Sequence, residues 1–256
     1  MTVDLNINAF SGYITNFLFV LLRSSIFISL LPVLGGKQMP PQFRMGLAVF
    51  ISLLLTPVVN FTIAENSISI LIIKEIIIAM TLGFAVRLVF LAVNMAGTFI
   101  SYTMGLSMAT VFNPEVGQDT LVSEIYGIMT MLLFLVMDAH HDLIFVFVKS
   151  FELLPAGKLS IAPLLPEVVA MVSGLFVMAI KIAAPVMVGL LIVQLLTGFL
   201  YKVAPQMNIF FVALPLNIFL GIMLMILSIP VFEHVLGIRF SDLRGEMIRL
   251  LMMAKG

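Results

Sequence analysis

Residues 68–112 read ISILIIKEIIIAMTLGFAVRLVFLAVNMAGTFISYTMGLSMATVF, and Lys74, Glu75 and Arg87 are the only charges in the stretch. It is rich in Leu, Ile, Met, Phe and Ala and lacks the period-two alternation of a membrane barrel strand of about 10 residues. In an apolar medium a segment like this satisfies its backbone donors and acceptors only as helix. At a rise of about 1.5 Å per residue it is too long for one upright crossing of a hydrocarbon core of roughly 30 Å. It is also hard to divide into two crossings.

The rest of the chain repeats the pattern. An apolar block runs from Phe10 to Leu34 with Arg23 as its one charge, and charge-free runs cover residues 45–64, 182–201 and 203–232, with weaker blocks at 120–148 and 168–180. Breaks combining helix breakers with polar residues fall at 35–41, 64–67, 113–119, 138–142, 155–166 and 204–206. Pro185, Pro205, Pro215 and Pro230 are expected to kink or interrupt the later helices. Across 256 residues, 62% are hydrophobic and 10% charged, against roughly 25% charged in soluble domains. A water-soluble globule is excluded, because too few polar side chains exist to cover its surface. The 13 basic and 13 acidic residues cancel, so no basic field exists to hold nucleic acid. With 0 cysteines, disulfides, thiol catalysis and cysteine-ligated metal sites are excluded. Residues 1–9 carry Asp4 and no Lys or Arg, so no cleavable signal is expected. The expected fold is an all-α, multi-pass membrane protein of helical hairpins and long kinked helices.

Motifs for enzymatic chemistry are missing: G-x-S-x-G, H-E-x-x-H, the phosphate loop and G-x-G-x-x-G do not occur. The chain is read as a non-enzyme without cofactor. Asp138, His140, His141 and Asp142 crowd potential metal ligands into five residues. Successive helical side chains diverge by about 100°, so they read as a polar break at a membrane boundary and not as a metal site. Charged groups inside apolar runs default to a paired or functional role. Here those are Arg23, Lys74, Glu75 and Arg87, with Arg23 or Lys181 as candidate partner for Glu75 across helices. The alternative makes Lys74, Glu75 and Arg87 the coupling site of a stand-alone multi-helix transporter.

Gly97, Ser101, Gly105 and Ala109 recur every fourth residue, a small-residue stripe that lets another helix approach closely. Asn94, Thr98, Tyr102, Thr103, Ser107 and Thr110 occupy other positions of the segment, and such polar content predicts a cavity or pore side. Met104, Met108 and Phe112 lead into Asn113-Pro114-Glu115-Val116-Gly117-Gln118-Asp119, where Asn-Pro is expected to end the helix and Gly117 to permit a tight bend. In the tail, Leu243, Met247, Leu250 and Leu251 form an amphipathic stripe suited to a membrane surface or a partner. Arg239, Arg244, Arg249 and Lys255 point that tail to the cytoplasm.

Gly105 to Gln118, Phe134 to Ile144 with Ser150 to Gly157, and the Pro32 to Arg44 break together resemble the FliR/SctT family of the bacterial type III export apparatus. The resemblance covers essentially the whole chain, and the flagellar branch looks closer than the virulence branch. It implies a subunit of a conical export gate at the inner membrane of the flagellar basal body, its core raised toward the periplasm. Residues 1–120 would be a FliP-like part ending in a pore loop, 121–238 a FliQ-like helical hairpin, and 239–256 the cytoplasm-facing tail. The family's plug loop maps onto Leu106 to Thr120, including Leu106, Met108, Phe112, Asn113, Pro114, Glu115 and Gly117. Implied partners are FliP-like and FliQ-like gate subunits, FlhB-like and FlhA-like export proteins, unfolded export substrates and membrane lipid.

Overall fold

A computed structural model of the chain describes residues 7–32, 39–59, 68–106, 120–155, 157–203 and 209–255. Among these residues the structure is helical and contains no strand. The helices are α1 (Ile7–Leu30), α2 (Pro41–Leu55), α3 (Ile68–Met104), α4 (Leu121–Val136), α5 (Ala139–Leu153), α6 (Leu164–Val203) and α7 (Ile209–Met253). Spans Gly12–Leu30, Ile68–Met104, Leu164–Leu200 and Phe211–Met253 are each long and apolar enough to cross a membrane, and α4 with α5 qualifies as a broken pair.

The three longest helices have 37, 40 and 45 residues, and the later two run uninterrupted through Pro185, Pro215 and Pro230. These prolines therefore do not end helices. Each removes one donor, and the helix continues through the remaining bonds. Pro205 lies outside the described residues. The 138–142 break is shorter than its polarity suggests: Asp138 alone takes a left-handed φ of 55°, and α5 starts at Ala139. In the same way α6 starts at Leu164, inside the expected 155–166 break. Pro166 sits in its first turn, where a helix can spare a donor.

The chain divides into two compact units, one from residues 1–88, 139–171 and 242–256, the other from 89–138 and 172–241. In the first, α2 packs on α1, and Phe27 stacks on Phe147 at 4.6 Å. The tail belongs to this core. Leu243, Met247, Leu250 and Leu251 are at most 3% exposed, and the Ser160 N–H donates to the Ala254 carbonyl at 2.8 Å. The amphipathic stripe thus faces the chain's own interior, and it is not available to a lipid surface or another protein.

In the second unit Phe90, Phe134 and Phe240 form an aromatic cluster with centroid separations of 5.8, 6.4 and 5.6 Å. Gly97 sets the α3–α4 approach: a Cβ there would lie 2.5 Å from the Ser123 Cα and 2.7 Å from its nitrogen. Both obstacles are backbone, so neither can rotate away. Gly97→Ala is expected to destabilise the protein by about 1–3 kcal/mol through overpacking, whereas Gly127→Ala, with open space around it, should be neutral or mildly stabilising. Thermal unfolding of the two variants in detergent checks the contrast.

Candidate functional site

Two features concentrate the polar chemistry. The first is a buried ion pair. Arg23 on α1 and Glu75 on α3 are both 0% exposed. The Arg23 Nε donates to Glu75 Oε2 at 2.6 Å and Nη2 donates to Oε1 at 2.9 Å, a fork matched to both carboxylate oxygens. Two further bonds go to α5 and the residue after it: Nη1 donates to the Ser150 Oγ at 3.1 Å and Nη2 also donates to the Leu154 carbonyl at 3.1 Å. The guanidinium lies 4.3 Å from the Phe151 ring centroid, over its face. Ser150 in turn donates to the Phe147 carbonyl at 2.6 Å. The pair joins three helices through one cation.

Glu75 is therefore held by Arg23, and Lys181, on the other unit, is exposed. Lys74 acts elsewhere. Its Nζ donates to the Gly157 carbonyl at 2.6 Å, in a turn where Gly157 takes φ 87°. Arg87 is exposed. The structure does not bring Lys74, Glu75 and Arg87 together as a coupling triad. In the 138–142 stretch, Asp142 accepts from Arg244 at 3.0 Å, and Asp138, His140 and His141 are each engaged in other interactions.

The second feature is the pair of helix ends that bracket residues 107–119. α3 stops at Met104 because Gly105 adopts φ 82°. The Leu106 N–H then donates to the Ser101 carbonyl at 3.0 Å and the Gly105 N–H to the Tyr102 carbonyl at 3.1 Å. This six-to-one and five-to-two pair is the Schellman closure, which glycine accommodates without a Cβ penalty. The helix stop is thus Gly105, and not the Asn113-Pro114 step expected from sequence. On the far side Thr120 is the N-cap of α4: its Oγ1 accepts from the Ser123 N–H at 3.3 Å, and the Ser123 Oγ donates to the Thr120 carbonyl at 2.7 Å. Met108, Ala109, Phe112, Asn113, Pro114, Glu115 and Gly117 lie outside the described residues, and Leu106 is half-buried at their edge.

Of the small-residue stripe, Gly97 and Ser101 are buried. A Cβ on Gly105 would meet Leu214 Cδ1 at 3.1 Å, and one on Gly221 would meet the Met104 side chain at 2.6 Å, so the end of α3 packs closely on α7. The α3 threonines do not require a polar cavity. Thr98 donates to the Asn94 carbonyl at 2.9 Å and Thr103 to the Ile100 carbonyl at 2.8 Å, satisfying their hydroxyls within their own helix.

The chain matches the sequence model of the family described as bacterial export proteins, family 1, over residues 14–243. It belongs to that family. The flagellar biosynthetic protein FliR of Pectobacterium carotovorum subsp. carotovorum is 32% identical over 248 residues, covering 94% of this chain and 95% of that protein. The protein of the same name from Bacillus subtilis (strain 168) is 29% identical over 254 residues, with the same coverages of 94% and 95%. That of Escherichia coli (strain K12) is 30% identical over 235 residues and covers 87% of each chain. Together with the apolar spans, membership makes this a multi-pass membrane protein of the export family.

Removing one member of a buried ion pair strands the other. Arg23→Ala or Glu75→Ala is expected to destabilise the fold by about 3–5 kcal/mol, while Arg23→Met combined with Glu75→Leu should restore most of the loss. The exposed Arg244–Asp142 bridge provides the control, since Arg244→Ala should cost at most about 1 kcal/mol. Denaturation in detergent of the single and paired variants measures the difference.

Proposed function

We propose that this chain is a subunit of the bacterial flagellar type III protein export gate, lining and plugging the channel through which unfolded flagellar proteins pass. The observation that carries the reading is the near-full-length match to the export family and to relatives named flagellar biosynthetic protein FliR. The chain acts as wall and plug and not as a catalyst. It works with FliP-like and FliQ-like gate subunits and with FlhA-like and FlhB-like export proteins, at the inner membrane of the flagellar basal body.

Several physical features support the reading. α3, α6 and α7 each contain roughly 55–70 Å of helix at about 1.5 Å per residue, far more than the roughly 30 Å of a hydrocarbon core. Helices of this length with uncovered apolar faces are suited to packing on neighbouring subunits. Most of the apolar window in Phe211–Met253 is left uncovered by the chain itself. The segment from Leu106 to Thr120 is the plug, with Met108 and Phe112 as its bulky apolar part. A plug of this chemistry excludes ions by dewetting and makes few directional bonds that a passing polypeptide would have to replace. The transporter alternative loses its site, because Glu75 is committed to Arg23 and Lys74 to a backbone carbonyl.

Deleting the gene should abolish secretion of flagellar proteins into the medium and motility, with both restored by the intact chain. Replacing Leu106–Thr120 by a short Gly/Ser linker in otherwise intact cells should raise ion leak and small-molecule entry. Unchanged leak in a stably assembled variant rejects the plug. Co-purification of FliP-like and FliQ-like proteins with the tagged chain from detergent checks the partners.

A further inference from the structure

One end of the first unit combines exposed apolar side chains with exposed lysines. The start of α3, the turn at 155–163, the start of α6 and the last turn of α7 meet there. Leu71 Cδ2 would lie 2.7 Å from a Cβ on Gly157, Lys74 holds the Gly157 carbonyl, and Ser160 holds the Ala254 carbonyl. Leu154, Leu159, Leu164, Leu250 and Ala254 surround a small apolar cavity beneath the surface. Outside it, Ile68 is 66% exposed, Ile73 54%, Ile161 44%, Leu165 63% and Met252 59%. Lys158 and Lys255 are exposed among them, with Arg249 one to two turns back on α7. Of the nearby acids, Glu152 is paired with Lys149, and Glu167 is half-buried.

From this we infer that this end of the first unit is an interfacial docking surface for an anionic lipid leaflet, with Lys158 and Lys255 reaching headgroup phosphates and the surrounding isoleucine, leucine and methionine side chains entering the acyl boundary. Two observations favour lipid over a protein partner. The backbone of the turn is closed on itself and on the tail: Lys158 N–H bonds to the Pro155 carbonyl, Ser160 N–H to Ala254 and Leu164 N–H to Ile161. What it offers outward is therefore hydrophobic area and positive charge, and these are the two terms that bind a protein to an anionic interface. Lysine also suits such a boundary because its long stem lies along apolar surface while its ammonium group reaches water and phosphate. The inference rests on the membrane character of the chain and is independent of the export reading.

The chain contains 0 tryptophans, so an introduced indole is read as the difference between the variant complex and the same complex without it. The full-length Ile161→Trp variant, in the complex in which it purifies, is reconstituted into phosphatidylcholine vesicles with phosphatidylglycerol, one of the two lipids being brominated in each sample. Brominated phosphatidylglycerol should quench the indole more strongly than brominated phosphatidylcholine. Lys158→Gln with Lys255→Gln should remove the preference, each lysine accounting for roughly a fivefold change in relative lipid occupancy. Equal quenching by both lipids, or a preference indifferent to the lysines, overturns the inference. So does an indole quenched by neither brominated lipid, which would show the surface covered by protein. Leu165→Trp provides the second reporter should Ile161→Trp fail to fold.

Discussion

Arg23 and Glu75 constrain the first unit more tightly than any apolar contact does. A guanidinium or a carboxylate without water is tolerable only when paired and hydrogen-bonded, and the desolvation cost is several kcal/mol for each ion. Both groups sit in apolar helices, so α1 and α3 must lie at the register that matches fork to carboxylate. The match alone leaves donors over. Those donors fix α5 as well, because the Ser150 hydroxyl and the Leu154 carbonyl accept two of them. Nondirectional burial of Phe27, Phe147 and Ile78 then follows a frame set by directional bonds. Apolar helices could otherwise slide past one another with little change in buried area.

The second unit is organised differently. Its close contacts include glycine against backbone at Gly97, glycine against side chains at Gly189 and Gly221, and a triad of phenylalanines. Packing of this kind is the main source of helix association where lipid removes the hydrophobic drive. Methionine beside glycine fills space without demanding one geometry, since its unbranched thioether adapts to its surroundings. Register in the first unit is set by charge, while close approach at a glycine is common to both, since a Cβ on Gly83 of α3 would lie 2.6 Å from the Leu30 Cβ of α1.

Much of this was legible from residue order. Long charge-free runs without alternation gave the all-helical, multi-pass character, and Gly97 was marked by its four-residue spacing. What the sequence left open was decided by local chemistry of small energy. Both Gly105 and the Asn113-Pro114 step are valid stop signals, and the choice fell to Gly105, whose positive φ lets Leu106 and Gly105 close on Ser101 and Tyr102. The threonines of α3 can bond their own helix, an option that leaves no mark in the pattern, so hydroxyl content alone does not decide between a wet face and a packed one. The tail stripe of Leu243, Met247, Leu250 and Leu251 was visible, yet periodicity reports that a face is buried and not what buries it. The choice of Arg23 over Lys181 as partner of Glu75 likewise required the tertiary structure.

The two helix ends that bracket residues 107–119 share a property. Each cap is self-contained: the Schellman bonds of α3 use Ser101, Tyr102, Gly105 and Leu106, and the α4 cap uses Thr120 and Ser123. Neither of these caps draws its donors or acceptors from the segment between them. The bonds of both caps are therefore complete without residues 107–119, and each helix end is fixed by its own sequence: a glycine free to take positive φ at one end and a threonine hydroxyl at the other.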